Sequence, residues 1–214
     1  MLGYAKVRNH AGMMLVGDYE TLRALHEVIH KVVKETGLFR KEEHGDHLLG
    51  LAYEIRKAFE LQREILESPA HYDEIGRRYG VKLLWPVLLV HTRLLRVAMG
   101  FCPTDERDQG LVYLLENAVL SGLADDIGGT EVVEQWRGLV CNPADILERV
   151  ESRTGLFLQW RKADRRAGLG QLLASLDPMF AFWYERDPGA WRSGISPERF
   201  DEISQLGEFV EPRW

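Results

Sequence analysis

Between Pro86 and Gly100 this 214-residue chain is apolar almost throughout, and only Thr92, Arg93 and Arg96 make a narrow polar strip. Proline suits the first turn of a helix, where no backbone donor is required, so a helix is predicted from Pro86 to Gly100. A helix that is apolar around most of its circumference cannot lie on a surface, and other elements must surround it. It is expected to be the centre of the fold. His91 shares its apolar face with Val87, Leu94, Leu95 and Ala98. It is therefore expected to be buried and to need a hydrogen-bond partner, as a core histidine first and as a third zinc ligand or catalytic base second.

The surrounding elements are read from periodicity and caps. Tyr4 to Arg8 and Met13 to Val16 flank Asn9-His10-Ala11-Gly12, a connection whose Asn and Gly can supply positive φ, which predicts a β-hairpin. Asp18 can cap a helix to Glu35, with Leu22, Leu25, Ile29, Val32 and Val33 on one stripe and Gly37 ending it. Asp46 is expected to cap a second helix to about Glu67, burying Leu48, Leu51, Ala52, Ile55, Phe59 and Leu66. Ser68-Pro69 then opens a short amphipathic piece ending near Gly80, and Val81 to Trp85 reads either as a third strand or as an approach segment. Helices follow from Thr104 to Ala124, from Thr130 to Arg137 and from Asn142-Pro143, with further starts at Asp177-Pro178 and Ser196-Pro197. The glycine-containing breaks at 128–129, 168–170 and 189–194 read as loops.

These elements predict a mainly α fold, a helical bundle with a short N-terminal β-hairpin in one domain spanning 1–214. The hairpin occupies 1–17, the helical core 18–125, and a helical, aromatic-rich portion 126–214. That last portion carries Trp160, Phe180, Phe182, Trp183, Tyr184, Trp191 and Trp214, which can cap the core or present an interface.

Charge is unevenly placed. The net charge is −6, but Thr104 to Glu151 holds eleven acids against three arginines, a local balance of −8, while the remainder is near neutral at +2. Solvated helix faces are one explanation. A surface for a basic partner is the other. A phosphate backbone would be repelled there, and the compact basic group Arg161, Lys162, Arg165 and Arg166 beside Trp160 reads as an exposed helix face, so nucleic-acid binding is disfavoured. Apolar runs are too short for a membrane span, and Lys6, Arg8 and His10 interrupt the N-terminal stretch, which predicts a cytoplasmic protein. Cys102 and Cys141 have neither metal nor redox spacing.

One motif points at chemistry. His26-Glu27-Val28-Ile29-His30 is a literal H-E-x-x-H on a predicted helix, where two imidazoles one turn apart can share a zinc and Glu27 can act as base toward a metal-bound water. Lys31 follows the second histidine, where zincin helices avoid charge, and Val33 and Thr36 stand where the longer metzincin form needs glycine and histidine. A third ligand would have to come from Glu54 or a neighbour. On the predicted stripe, His26 falls at the border, His30 further round, and Glu27 outward, which suits two rim histidines. No G-x-S-x-G, phosphate loop, dinucleotide fingerprint or catalytic cysteine signature is present.

The run Gly17-Asp18-Tyr19, Leu22, Leu25-His26, Ile29-His30 and Val32-Val33, followed by Leu49-Gly50-Leu51-Ala52-Tyr53-Glu54-Ile55-Arg56 and by Leu84-Trp85-Pro86 with Leu88 and Val90, resembles an uncharacterised family of small, mostly helical bacterial proteins. It covers about residues 3–125. The resemblance implies a bacterial origin and carries no activity, cofactor or catalytic residue. The expected function is a protein-binding module, specifically an immunity or antitoxin type inhibitor occluding a basic toxin or enzyme. Asp105, Glu106, Asp108, Asp125 and Asp126 would steer the partner, and Trp183, Tyr184 and Trp191 would anchor it. No cofactor, nucleic acid or membrane is expected. The alternatives are a zinc-dependent hydrolase built on His26, Glu27, His30 and Glu54, and a homo-oligomeric scaffold subunit.

Overall fold

Strands β1 (Leu2–Lys6) and β2 (Gly12–Gly17) form the hairpin, antiparallel from Leu2 opposite Gly17 to Lys6 opposite Met13. The computed structural model describes residues 1–41, 43–68, 76–206, 212 and 214. The turn between the strands is a short 3-10 segment in which Asn9 and His10 both take positive φ, 62° and 51°. Gly12 serves a different purpose. A Cβ there would fall 1.9 Å from the carbonyl oxygen of Leu83, because β4 (Arg78–Leu84) runs antiparallel against β2. The segment leading to Trp85 is thus a strand. With β3 (Glu64–Leu66) on its far edge, the sheet has the order β1-β2-β4-β3.

Helices α1 (Tyr19–Glu35), α2 (Glu43–Phe59), α3 (Trp85–Met99), α4 (Glu106–Asp126), α5 (Thr130–Gly138), α6 (Pro143–Gln159), α7 (Lys162–Ala174), α8 (Phe180–Arg186) and α9 (Pro197–Leu206) complete the fold among the described residues. Asp18 caps α1 through its side chain, and Asp105 and Asp108 close a reciprocal capping box on α4. As the apolar pattern requires, α3 is central: it packs against α1, α2, α4, α5, α6, β2 and β4, with Trp85, Leu88, Leu89, Leu94 and Leu95 fully buried. One apolar cluster runs from Leu2 to Phe200. No described helix is long and apolar enough to cross a membrane.

Several expectations need correction. The second helix starts earlier and stops at Phe59, not near Glu67. Leu61 sits at φ 65°, and the amides of Leu61 and Gln62 bond back to the carbonyls of Ala58 and Lys57. This is a left-handed helix stop made without glycine, which is why no stop was visible in the sequence. Of the amphipathic piece expected after Ser68, residues 69–75 lie outside the described residues, and Arg78–Gly80 belong to β4. Residues 168–170 are no loop. They lie inside α7, where the missing side chain of Gly168 admits the Trp160 ring, 2.7 Å from where a Cβ would stand.

Arg165 is buried, not part of an exposed basic face. It donates to the carbonyls of Phe157 and Leu158 at the end of α6. Thr92, expected on the polar strip, is also buried and bonds the Leu88 carbonyl. His91 is buried as predicted, beside His47 with ring centroids 5.9 Å apart, but its Nε2 has no hydrogen-bond partner among the described residues.

Candidate functional site

The aromatic C-terminal portion caps the core with some of its residues and leaves others exposed. Phe180 is buried, and Trp191 packs edge-on against it at 4.8 Å and Tyr184 at 5.9 Å. Phe182 and Trp183 are each 47% exposed on the outer side of α8. Between α5, α7 and α8 lies a groove of about 280 Å³ walled by Trp183, Trp191, Glu131, Asp187, Gln135 and Gln171. The segment that forms its far wall is held in place by Gln171, which donates from Nε2 to the Ala190 carbonyl at 3.0 Å and accepts from the Arg192 amide at 2.9 Å. The groove therefore presents two indole surfaces and two carboxylates, and no lysine, arginine or histidine among the described residues lines it. Such a lining suits a cation with an apolar stem, held by the carboxylates and laid over an indole.

The acids singled out from sequence do not converge. Asp105 and Glu106 are exposed at the start of α4, while Asp108 is only 8% exposed and bonds Lys31 Nζ at 2.6 Å. Asp125 and Asp126 lie at the other end of that 21-residue helix, about 30 Å away at 1.5 Å per residue. Asp125 is exposed and paired with Lys6 at 3.0 Å. Asp126 is buried, accepting from Trp85 Nε1 at 2.9 Å and facing His10 Nδ1 at 2.9 Å. Asp108 and Asp126 are thus withdrawn from solvent, because each answers a polar partner from a distant element. Trp183 and Trp191 share the groove, while Tyr184 packs into the Phe180 cluster beside it. Sequence reasoning did not single out Glu131 or Asp187 as site residues, since their meeting depends on how α5 packs on α7.

On α1, His26 and His30 are neighbours, with ring centroids 4.4 Å apart. His26 is half-buried against Phe59, and burial, with His30 and Arg56 adding to it, holds its imidazole below the usual value. Glu27 is exposed and paired with Arg23. Glu54 has both carboxylate oxygens bound by Arg63, at 2.8 and 2.9 Å, so it does not stand free beside the histidines. Among the described residues no three metal-binding side chains gather at one place. Burial raises the thiol of Cys102 and pushes that of Cys141 up to about 11, so neither is a ready thiolate.

A family profile described as a domain of unknown function, DUF6904, matches residues 2–180. The chain belongs to that family. No curated protein and no solved structure matches it. The DUF6904 match extends past the N-terminal portion that carried the sequence resemblance, through the sheet and helices α1 to α7, and stops at Phe180. The groove therefore straddles the edge of the DUF6904 region: Glu131, Gln135 and Gln171 lie inside it, and Trp183, Asp187 and Trp191 beyond it.

Proposed function

We propose that this protein is a protein-binding module that receives an arginine or lysine side chain of a basic partner in the groove between α5, α7 and α8. The observation that carries this reading is the lining itself, with Trp183 and Trp191 beside Glu131 and Asp187 and no described cation among them. A carboxylate pair without an internal counter-charge favours a cation from outside, and indole faces add cation–π attraction of about 0.5–2 kcal/mol. Exposed Phe182 next to Trp183 extends the apolar rim that a partner would cover. In its finer form the reading is an immunity or antitoxin type inhibitor acting in the cytoplasm, covering a basic toxin or enzyme.

The test is a titration of the protein with an arginine-rich peptide and with a glutamate-rich peptide of equal length, followed by tryptophan fluorescence at two salt concentrations. The arginine peptide is expected to bind more weakly as salt rises, and Trp183→Ala and Asp187→Asn are each expected to weaken it roughly tenfold. Glu106→Lys, far from the groove, should leave the affinity nearly unchanged. Equal affinity for both peptides, or undiminished affinity in the Trp183→Ala and Asp187→Asn proteins, would remove the groove from the reading.

A further inference from the structure

A second groove, of about 390 Å³, lies where α3, α4 and α5 meet, and Arg93, Arg96, Tyr113, Glu116, Asn117 and Arg137 line it. We infer that it binds a phosphoryl group, carried by inorganic phosphate or by a small phosphate monoester.

Three guanidinium groups share this space with a single carboxylate. Arg96 Nη2 pairs with Glu116 Oε2 at 3.0 Å, and its guanidinium lies 3.8 Å from the Tyr113 ring centroid. Among the described residues Arg93 and Arg137 have no acid within ion-pair distance. Arg93 Nε is also shut off from solvent, with no hydrogen-bond partner among the described residues. The other such nitrogens among the described residues belong to histidines, His44 and His91, whereas the buried arginines are satisfied. Arg153, also buried, places Nε, Nη1 and Nη2 on Ser175 and Ser152, and Arg165 bonds three main-chain carbonyls. Among the described residues no acid answers the charge of Arg93 or Arg137, so an anion entering the groove meets two guanidinium groups that are not already paired.

Charge and shape select the ligand. Three arginines less one glutamate leave +2, which a phosphoryl group of about −1.5 to −2 at neutral pH balances and a single carboxylate does not. Guanidinium forks match the oxygens of phosphate in bidentate fashion. The Asn117 side chain is exposed at the same rim and can donate from its amide. Helix α5 lends residues to both grooves, Glu131 and Gln135 to the acidic one and Arg137 to this one. The two grooves thus carry opposite charge on different faces of one short helix.

Calorimetric titration with inorganic phosphate, with glycerol 3-phosphate and with acetate at matched ionic strength tests the assignment. Saturable binding of at least one phosphate compound, well above acetate, is expected. Inorganic phosphate binding as tightly as the monoester would mark the free ion as sufficient, and a tighter monoester would mark the ester; either supports the site. Arg137→Gln, at an exposed position, should weaken binding roughly tenfold or more with an unchanged melting temperature. Glu116→Gln should tighten it, a direction that loss of a structural pair would not produce. Acetate binding equal to phosphate, no saturable binding below about 10 mM, or wild-type affinity in Arg137→Gln overturns the proposal.

Discussion

His91, whose Nε2 has no hydrogen-bond partner among the described residues, sits on a helix buried on nearly every side, and burial, with His47 beside it, pushes its imidazole down to about 3. Folding thus requires the neutral ring, whereas the unfolded chain takes up a proton near 6.5. The folded-state value is depressed, so this contribution is complete above about pH 6.5 and is lost as pH falls toward 3. His91→Leu removes the titration. Its unfolding free energy should decline less than that of wild type between pH 6.5 and 4, the two diverging by on the order of 1–3 kcal/mol in denaturant melts at each pH. Parallel declines would show that His91 does not titrate on unfolding. At His26 and His30 the engaged state of Glu54 argues for a metal-free rim. Protein purified without chelator should carry no stoichiometric zinc, and the His26→Ala, His30→Ala double variant should melt within a few degrees of wild type. One zinc per chain, lost in that variant, would restore the hydrolase reading.

At the scale of elements, side chains that appear to be surface charges in sequence turn out to end or join helices. Arg165 takes up the last carbonyls of α6 and reaches the Asn9 carbonyl in the hairpin turn at 3.5 Å. Arg165→Met leaves those carbonyls without their donor and is expected to cost about 2–4 kcal/mol, read as a lowered denaturation midpoint. Arg161→Met and Lys162→Met, at exposed positions one turn earlier, should stay within about 0.5 kcal/mol. Equally small effects at all three positions would mean that these residues form one solvated face after all. Residues at α2 and α7 show the same dependence on context. Leu61 ends α2 in a conformation normally left to glycine, and Gly168 continues α7 where a side chain would meet Trp160. Residue type alone points the wrong way at both positions, because packing and not propensity decides them.

Over the whole molecule, the acidic excess of residues 104–151 is divided. One cluster lies at each end of α4, two of the acids are buried against Lys31 and against Trp85 and His10, and Glu131 alone reaches the acidic groove. Steering should therefore follow the groove and not the segment. Reversing Glu131 and Asp187 to lysine should slow association with an arginine-rich probe at low salt by roughly tenfold or more, with the effect shrinking as salt rises. Reversing Glu106 and Asp125 should alter the rate far less. A larger effect from the α4 ends, measured in stopped-flow fluorescence, would return the interface to that helix.

Periodicity and capping chemistry are local, and whatever depends on them was determined by the sequence alone: the hairpin, the extent of α1 from its Asp18 cap, the Pro86 start and central position of α3, and the burial of His91. The proline start of α6 belongs with them. Pairing between distant residues is a different matter. The third and fourth strands, the burial of Asp108, Asp126 and Arg165, and the gathering of Trp183, Trp191, Glu131 and Asp187 follow from the packing of α5, α7 and α8 and from strands meeting across the sheet. His10 and Asp126 stand 116 positions apart in the chain. No local pattern encodes such a meeting, because the free energy that makes it favourable arises only when both groups leave water together.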